Sequence, residues 1–329
     1  MQQAPRPRPK PPSGRWPWWL LLAVAPLFSG CALPPSPPAA PPPSDFALYP
    51  LPGATPDRPV LALVRAARVP PTRLRVIAVP GSGCTGFASF ADRYFAGLLH
   101  AEVWVLHKPG VDLQAGAAPD TCPPGFVEAD ALGRWQADAL AALRAMPRAN
   151  DALPTVLVGI SEGAELLPVL ATAVPGLRGL VLLGAPGLDP LESAELQMRR
   201  QGVERAWARL RLAAASSRAD HELLEGRTLA YWRDLLRWPL AQPLIDSPWP
   251  LLQVFGTADA LVPPQAYARF AARARGRRAP FCTWPFVGAD HGLQGPAGRD
   301  GLQILWARLE RWVQFPEEID SCSRLSGAA

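Results

Sequence analysis

The sequence predicts an α/β fold: a mainly parallel, doubly wound sheet with an inserted helical cap. Three observations carry this. Near-continuous apolar runs alternate with helical periodicity, the pattern of strands buried on both faces by crossover helices. One of these runs, Val156-Leu157-Val158, passes straight into Gly159-Ile160-Ser161-Glu162-Gly163 and then into a helix. The alternation breaks once, at about 190–246, where the chain is helical and charged. That block is too long for a connection and too small for a separate domain, so it reads as a cap.

Taken in order, Leu74–Val79 is a strand ending in Pro80-Gly81-Ser82-Gly83, followed by an amphipathic helix over Ala88–Leu99 and a strand over Ala101–Leu106. After a loop containing Asp120, Cys122, Pro123 and Pro124, apolar spacing near 3.6 predicts one long helix over Glu128–Met146. The strand Leu153–Ile160 leads to Ser161, a helix covers Ala164–Ala171, and Leu177–Leu183 is the next strand. Within the cap, helices are expected over Glu195–Leu212 and Leu223–Trp238. The alternation resumes with strand Pro250–Phe255, helix Gln265–Arg275, strand Ala279–Phe286 and helix Gly301–Val313.

The N-terminus has a different character. Residues 1–15 are basic and Pro-rich, and the apolar run Trp16–Phe28 is too short to cross a bilayer about 30 Å thick as a helix. A charged segment, a short apolar segment and then small residues read as an export signal over residues 1–30. Its end, Leu27-Phe28-Ser29-Gly30-Cys31, resembles a bacterial lipobox, which implies cleavage before Cys31 and lipidation of that cysteine. Ala32 after Cys31 points, by the same resemblance, to an outer-membrane lipoprotein on the periplasmic face. Residues 31–58 read as a Pro-rich tether to a domain over 59–329.

Composition narrows the class. The chain has 329 residues, 49% of them apolar, enough for a large core. Arg6, Arg8, Lys10 and Arg15 carry four of the five net positive charges, so about one remains for the rest of the chain and no nucleic-acid footprint is left. Only two lysines occur, Lys10 and Lys108, which reads as coding bias rather than function. With Cys31 set aside, four cysteines remain in an exported chain and allow three pairings. Favoured are Cys84–Cys122, joining loops after neighbouring strands, and Cys282–Cys322, pinning the C-terminal tail to the last strand. No Cys-x-x-Cys occurs and there are four histidines, which argues against a zinc site.

Two stretches complete the pattern begun at Ser161. Gly256-Thr257-Ala258-Asp259-Ala260-Leu261-Val262-Pro263 follows the next-to-last strand, and Gly288-Ala289-Asp290-His291-Gly292 follows the last. Serine, acid and histidine thus each lie at the C-terminal end of a strand, where open α/β sheets place their sites. With these motifs the chain from about 59 to 315 resembles the α/β-hydrolase superfamily. The resemblance implies Ser161 as nucleophile, His291 as its base and Asp259 as the carboxylate that orients the imidazole. It also implies an oxyanion hole from the backbone N–H groups of Glu162 and of Ser82, the latter in the loop after Pro80-Gly81. The expected reaction is acyl transfer to water through an acyl-Ser161. Carboxylic ester is the default substrate class; thioester, amide and peptide bonds stay open. No metal or organic cofactor is implied, and the expected partners are a small-molecule or lipid-like acyl substrate and a membrane reached through Cys31.

Other readings stand beside this one. Asp189 is the runner-up acid, and Asp290 adjoins His291 but is expected to point away. Arg199, Arg200, Arg205 and Arg211 suit either an anionic substrate or a helix face laced with Glu195 and Glu204. Trp207, Trp232 and Trp238 either line an acyl pocket or seal the cap. At the level of function, an acyltransferase acting on a cell-envelope acceptor and a non-catalytic envelope binding protein on the same scaffold are the alternatives.

Overall fold

The structure, a computed structural model, describes residues 44–114, 122–147 and 152–314. The elements in chain order are β1 (Ala47–Leu51), β2 (Val60–Arg65), β3 (Leu74–Val79), α1 (Ala91–Tyr94), β4 (Ala101–His107), α2 (Pro124–Ala129), α3 (Leu132–Ala145), β5 (Thr155–Ile160), α4 (Leu167–Leu170) and β6 (Leu177–Leu183). The inserted block holds α5 (Pro190–Gln201), α6 (Glu204–Ala215), β7 (Leu223–Leu224), β8 (Arg227–Thr228), α7 (Leu229–Arg237) and α8 (Ala241–Asp246). Then follow β9 (Leu251–Gly256), α9 (Pro264–Ala274), β10 (Phe281–Phe286) and α10 (Gly301–Gln314).

Eight strands form one sheet in the order β1-β2-β4-β3-β5-β6-β9-β10. The β1–β2 and β2–β4 pairs are antiparallel, and every other pair is parallel. The side-chain period of two sends successive residues to opposite faces. Val76, Ala78, Val156, Val158, Val181 and Val254 therefore face α1 and α10, while Ile77, Val79, Leu157, Leu180, Leu182 and Leu251 face α3, α4 and α9. Covering both faces is what makes the central strands apolar throughout.

Several boundaries differ from those the sequence suggests, each for a local reason. Ala47–Leu51, inside the stretch read as a tether, pairs with β2 as an edge strand, where Pro50 is tolerated because an edge leaves one side unpaired. The helix expected over Ala88–Leu99 shrinks to α1, since Gly97 is pressed against the Gln303 carbonyl and the side chains of Phe87, Phe90, Tyr94 and Phe95 cluster beside Trp306. The single helix expected over Glu128–Met146 is two, because Asp130 leaves helical geometry to turn its carboxylate inward. The first cap helix breaks at Gly202, in left-handed backbone, and the second begins as the β7–β8 hairpin.

Candidate active site

Ser161 has φ 51°, a left-handed backbone that costs a non-glycine residue of order 1–3 kcal/mol. The surroundings leave no alternative. A Cβ on Gly159 would lie 2.3 Å from Ala164 Cα, and one on Gly163 would lie 2.0 Å from the Val79 carbonyl oxygen. The glycines are therefore needed for the 3₁₀ turn Ser161–Leu166 to fold back so tightly from β5 and pack between β3 and the following helix. Glu162, near the start of that turn, has an amide among the donors without an intrahelical acceptor. Gly81 lies alongside: a Cβ there would be 3.1 Å from Ser161 Cβ and 3.7 Å from its Oγ. Ser82, next in that loop, is exposed.

Asp259 and His291 are brought together from the ends of β9 and β10. His291 Nδ1–H donates to Asp259 Oδ2 over 2.8 Å. Tyr267 Oη–H donates to the same oxygen at 3.1 Å, and the amides of Leu261 and Val262 donate to Oδ1 at 2.7 and 3.0 Å. Burial pushes the Asp259 carboxyl up, but the bond from His291 and those amides together hold it below the usual carboxylate range. An ionised carboxylate only accepts, so Nδ1 carries the ring proton and Nε2 is left as an acceptor. The His291 ring lies against Gly184: a Cβ there would sit 3.0 Å from Cε1 and 3.4 Å from either nitrogen. The β5–β6 register pairs Gly159 with Leu182 and Ile160 with Leu183, so Ser161 and Gly184 directly follow the ends of neighbouring parallel strands. No hydrogen bond joins Ser161 to His291 in this structure.

The remaining sequence candidates separate cleanly. Asp189 Oδ1 accepts from the amides of Leu240 and Ala241 and so anchors the start of α8. Asp290 Oδ1 accepts from the amide of Gln294. Arg200 donates to the carbonyl of Asp259 and Gln197 to that of Ala260, tying cap helix α5 to the acid loop; Arg211 pairs with Glu195. Trp238 donates to the Glu165 carbonyl and Trp232 to that of Leu224, and neither borders the cleft beside Ser82. Cys84 and Cys122 form a disulfide. Cys31 and Cys322 lie outside the described residues. Among the described residues no group of three or more His, Cys, Asp or Glu could hold a metal ion, and no helix is long and apolar enough to cross a membrane.

A second charged group beside Ser161 has no counterpart in the sequence reading. Lys108, just after β4, donates to Asp130 Oδ1 at 2.8 Å and to Glu162 Oε1 at 2.6 Å. Arg227, from the hairpin, donates to Asp130 Oδ2, and Tyr231 of α7 donates to Glu162 Oε2. Burial pushes the Lys108 ammonium down, but Glu162 and Asp130 outweigh it and hold its pKa above the usual lysine value. Burial likewise pushes Glu162 up, and Lys108 and Tyr231 more than reverse this. One sign was available: Lys108 is the sole lysine after residue 10 in a chain that otherwise uses arginine. Next to this group a cleft of about 610 Å³ runs between the Ser82–Cys84 loop, the Cys84–Cys122 disulfide, Val127, Leu223 and Arg227.

No family model and no curated protein sequence matches the chain. Solved structures do. The chain is similar to Est1E from Butyrivibrio proteoclasticus (TM-score 0.54, 13% identity, covering 83% of this chain and 99% of that one). It is also similar to a putative hydrolase from Agrobacterium vitis S4 (TM-score 0.53, 19% identity, 82% and 98%) and to an esterase from Pyrobaculum calidifontis (TM-score 0.51, 15% identity, 83% and 85%). At these identities the likeness is one of fold: the chain has the α/β-hydrolase fold.

Proposed function

We propose that this chain is an exported serine hydrolase that cleaves a carboxylic ester, or a related acyl bond, through an acyl-Ser161. The observation that carries the reading is the 2.8 Å bond from His291 Nδ1 to Asp259 Oδ2, on a ring laid over Gly184 beside Ser161. The esterases and hydrolases that share the fold support it further.

In this reading Nε2 of His291 takes the Ser161 hydroxyl proton as Oγ attacks the acyl carbonyl. Asp259, ionised, stabilises the imidazolium that forms and keeps the ring in the productive tautomer. The amides of Glu162 and Ser82 receive the negative charge that develops on the carbonyl oxygen. His291 returns its proton to the leaving group, then activates a water that attacks the acyl-enzyme and releases the acid. The cleft beside Ser82 offers room for one side of the substrate. Replacing Ser161 with alanine should leave the fold intact and lower kcat on a p-nitrophenyl ester by about 10⁶-fold. Unchanged turnover, or no labelling of wild-type Ser161 by a fluorophosphonate, would overturn the reading.

Export and anchoring through Cys31 rest on the lipobox-like Leu27–Cys31 and the Pro-rich stretch after it. Cys31→Ser should release the protein from the membrane fraction. Mass spectrometry that finds no lipid on Cys31 of the mature chain would refute the anchor.

A further inference from the structure

The amide of Glu162 has a role in the reaction proposed above, but its side chain has none, and a buried carboxylate one residue from a nucleophile is costly unless fully partnered. Here it is fully partnered. Oε1 takes Lys108 Nζ, Oε2 takes the Tyr231 hydroxyl, and Lys108 is itself held by Asp130, which Arg227 closes on its other oxygen. Two carboxylates and two cations leave the group neutral. Its members come from five places: the end of β4, the α2–α3 junction, the turn after β5, the β7–β8 hairpin and α7.

The geometry around the turn says what this could fix. Ser161 holds strained left-handed backbone, and Gly163 is wedged within contact of the Val79 and Pro80 carbonyls. The peptide between Ser161 and Glu162 is therefore restrained on one side by the core through Gly163. On the other side the clamped carboxylate restrains it, and that clamp includes two cap residues. We infer that the Glu162 carboxylate is a positioning residue: held by Lys108 and Tyr231, it fixes the direction of the Glu162 amide, and so couples the seating of the cap to the oxyanion hole. The inference rests on the hydrolase reading of Ser161. An alternative role for the same contacts is simply to staple the cap to the core, which would affect stability and leave the chemical step alone.

The test uses Tyr231→Phe, which removes one hydroxyl from a cap helix and no group assigned to the reaction, and Glu162→Gln, which keeps the shape and loses the charge. On a p-nitrophenyl ester at a temperature well below unfolding, each should lower kcat about tenfold with KM held within about twofold, since a donor aimed poorly loses part of the 10²–10³ that a whole donor supplies. Inhibition by a boronic acid, which forms a tetrahedral adduct on the serine, should weaken by a similar factor. Glu162→Ala should lose more than Glu162→Gln. If Tyr231→Phe and Glu162→Gln unfold at lower temperature but keep wild-type kcat and boronic-acid affinity, the contacts are a staple only and the inference is overturned. Should Ser161→Ala retain turnover, the hydrolase reading fails and takes this one with it. Should Ser161→Ala be inactive and Tyr231→Phe normal, this inference fails alone.

Discussion

Along the sheet, Ser161 has an ionisable cluster on each side, and the two are built differently. Towards β9 and β10, His291 meets Asp259 through one ring nitrogen and leaves the other free, with its side chain 24% exposed against 1% for the carboxylate. Towards β4, Lys108, Asp130 and Glu162 are all under 10% exposed, and all four carboxylate oxygens are engaged. The first cluster is held at one end and open at the other, which is what moving a proton requires. The second has no open valence among its carboxylates, which is what holding a backbone still requires. Proximity to Ser161 does not separate the two clusters; unspent hydrogen-bonding capacity does.

The largest break in this contrast should come from Asp259→Asn. The amide keeps the size of the carboxylate but can donate, so it stabilises the wrong imidazole tautomer and cannot balance an imidazolium. Expected is a drop in kcat of about 10⁴-fold with little change in melting temperature. A loss below tenfold would mean that His291 is oriented by something other than Asp259.

Lys108→Met should act on stability first. It leaves Glu162 buried with only the Tyr231 hydroxyl and no cation, and Asp130 with Arg227 alone, and removing one partner of a buried ion pair costs about 3–5 kcal/mol. Chemical denaturation should show that loss as a lower midpoint. If Lys108→Met is as stable as wild type, the group carries no structural burden and the contrast with Asp259–His291 disappears.

The two clusters also differ in how far they could be read from sequence. Ser161, Asp259 and His291 each sit in a short motif because close backbone approach dictates the neighbours. Gly159 and Gly163 are forced by Ala164 and Val79, and Gly256 by the Ala289 and Asp290 carbonyls, from which a Cβ there would lie 2.1 and 2.2 Å. Such constraints are local, so they leave a local trace. The Lys108 cluster is assembled from positions 108, 130, 162, 227 and 231, and no spacing rule connects them. Asp130 even reads as helix interior, because its inward turn is set by a lysine that the sequence places 22 residues away. The cap was legible as charged helix inserted between strands. Its hairpin was not, since Leu223–Thr228 turns over Glu225 and Gly226 with only two residues in each strand.

A finer version of the same contrast lies in two imidazoles. His107, at the end of β4, is 1% exposed; its Nε2 accepts from the Phe87 amide and its Nδ1–H donates to the Leu61 carbonyl, both at 3.2 Å. Both nitrogens are spent, so this ring has no capacity to move a proton. Burial pushes its pKa down to about 4, against the opposing pull of the Leu61 and Val105 carbonyls. An unfolded histidine titrates near 6.5. The folded value is the lower one, so the unfolded chain binds the extra proton first, and stability present above about pH 6.5 is lost as pH falls towards 4. The gap of roughly 2.5 units corresponds to about 3 kcal/mol. His107→Gln can preserve one acceptor and one donor without titrating. Urea unfolding at pH 7, 5.5 and 4 should show wild type losing about 3 kcal/mol more than the variant across that range. Parallel losses in the two proteins would mean that His107 is protonated without cost in the fold, and that burial does not set its charge.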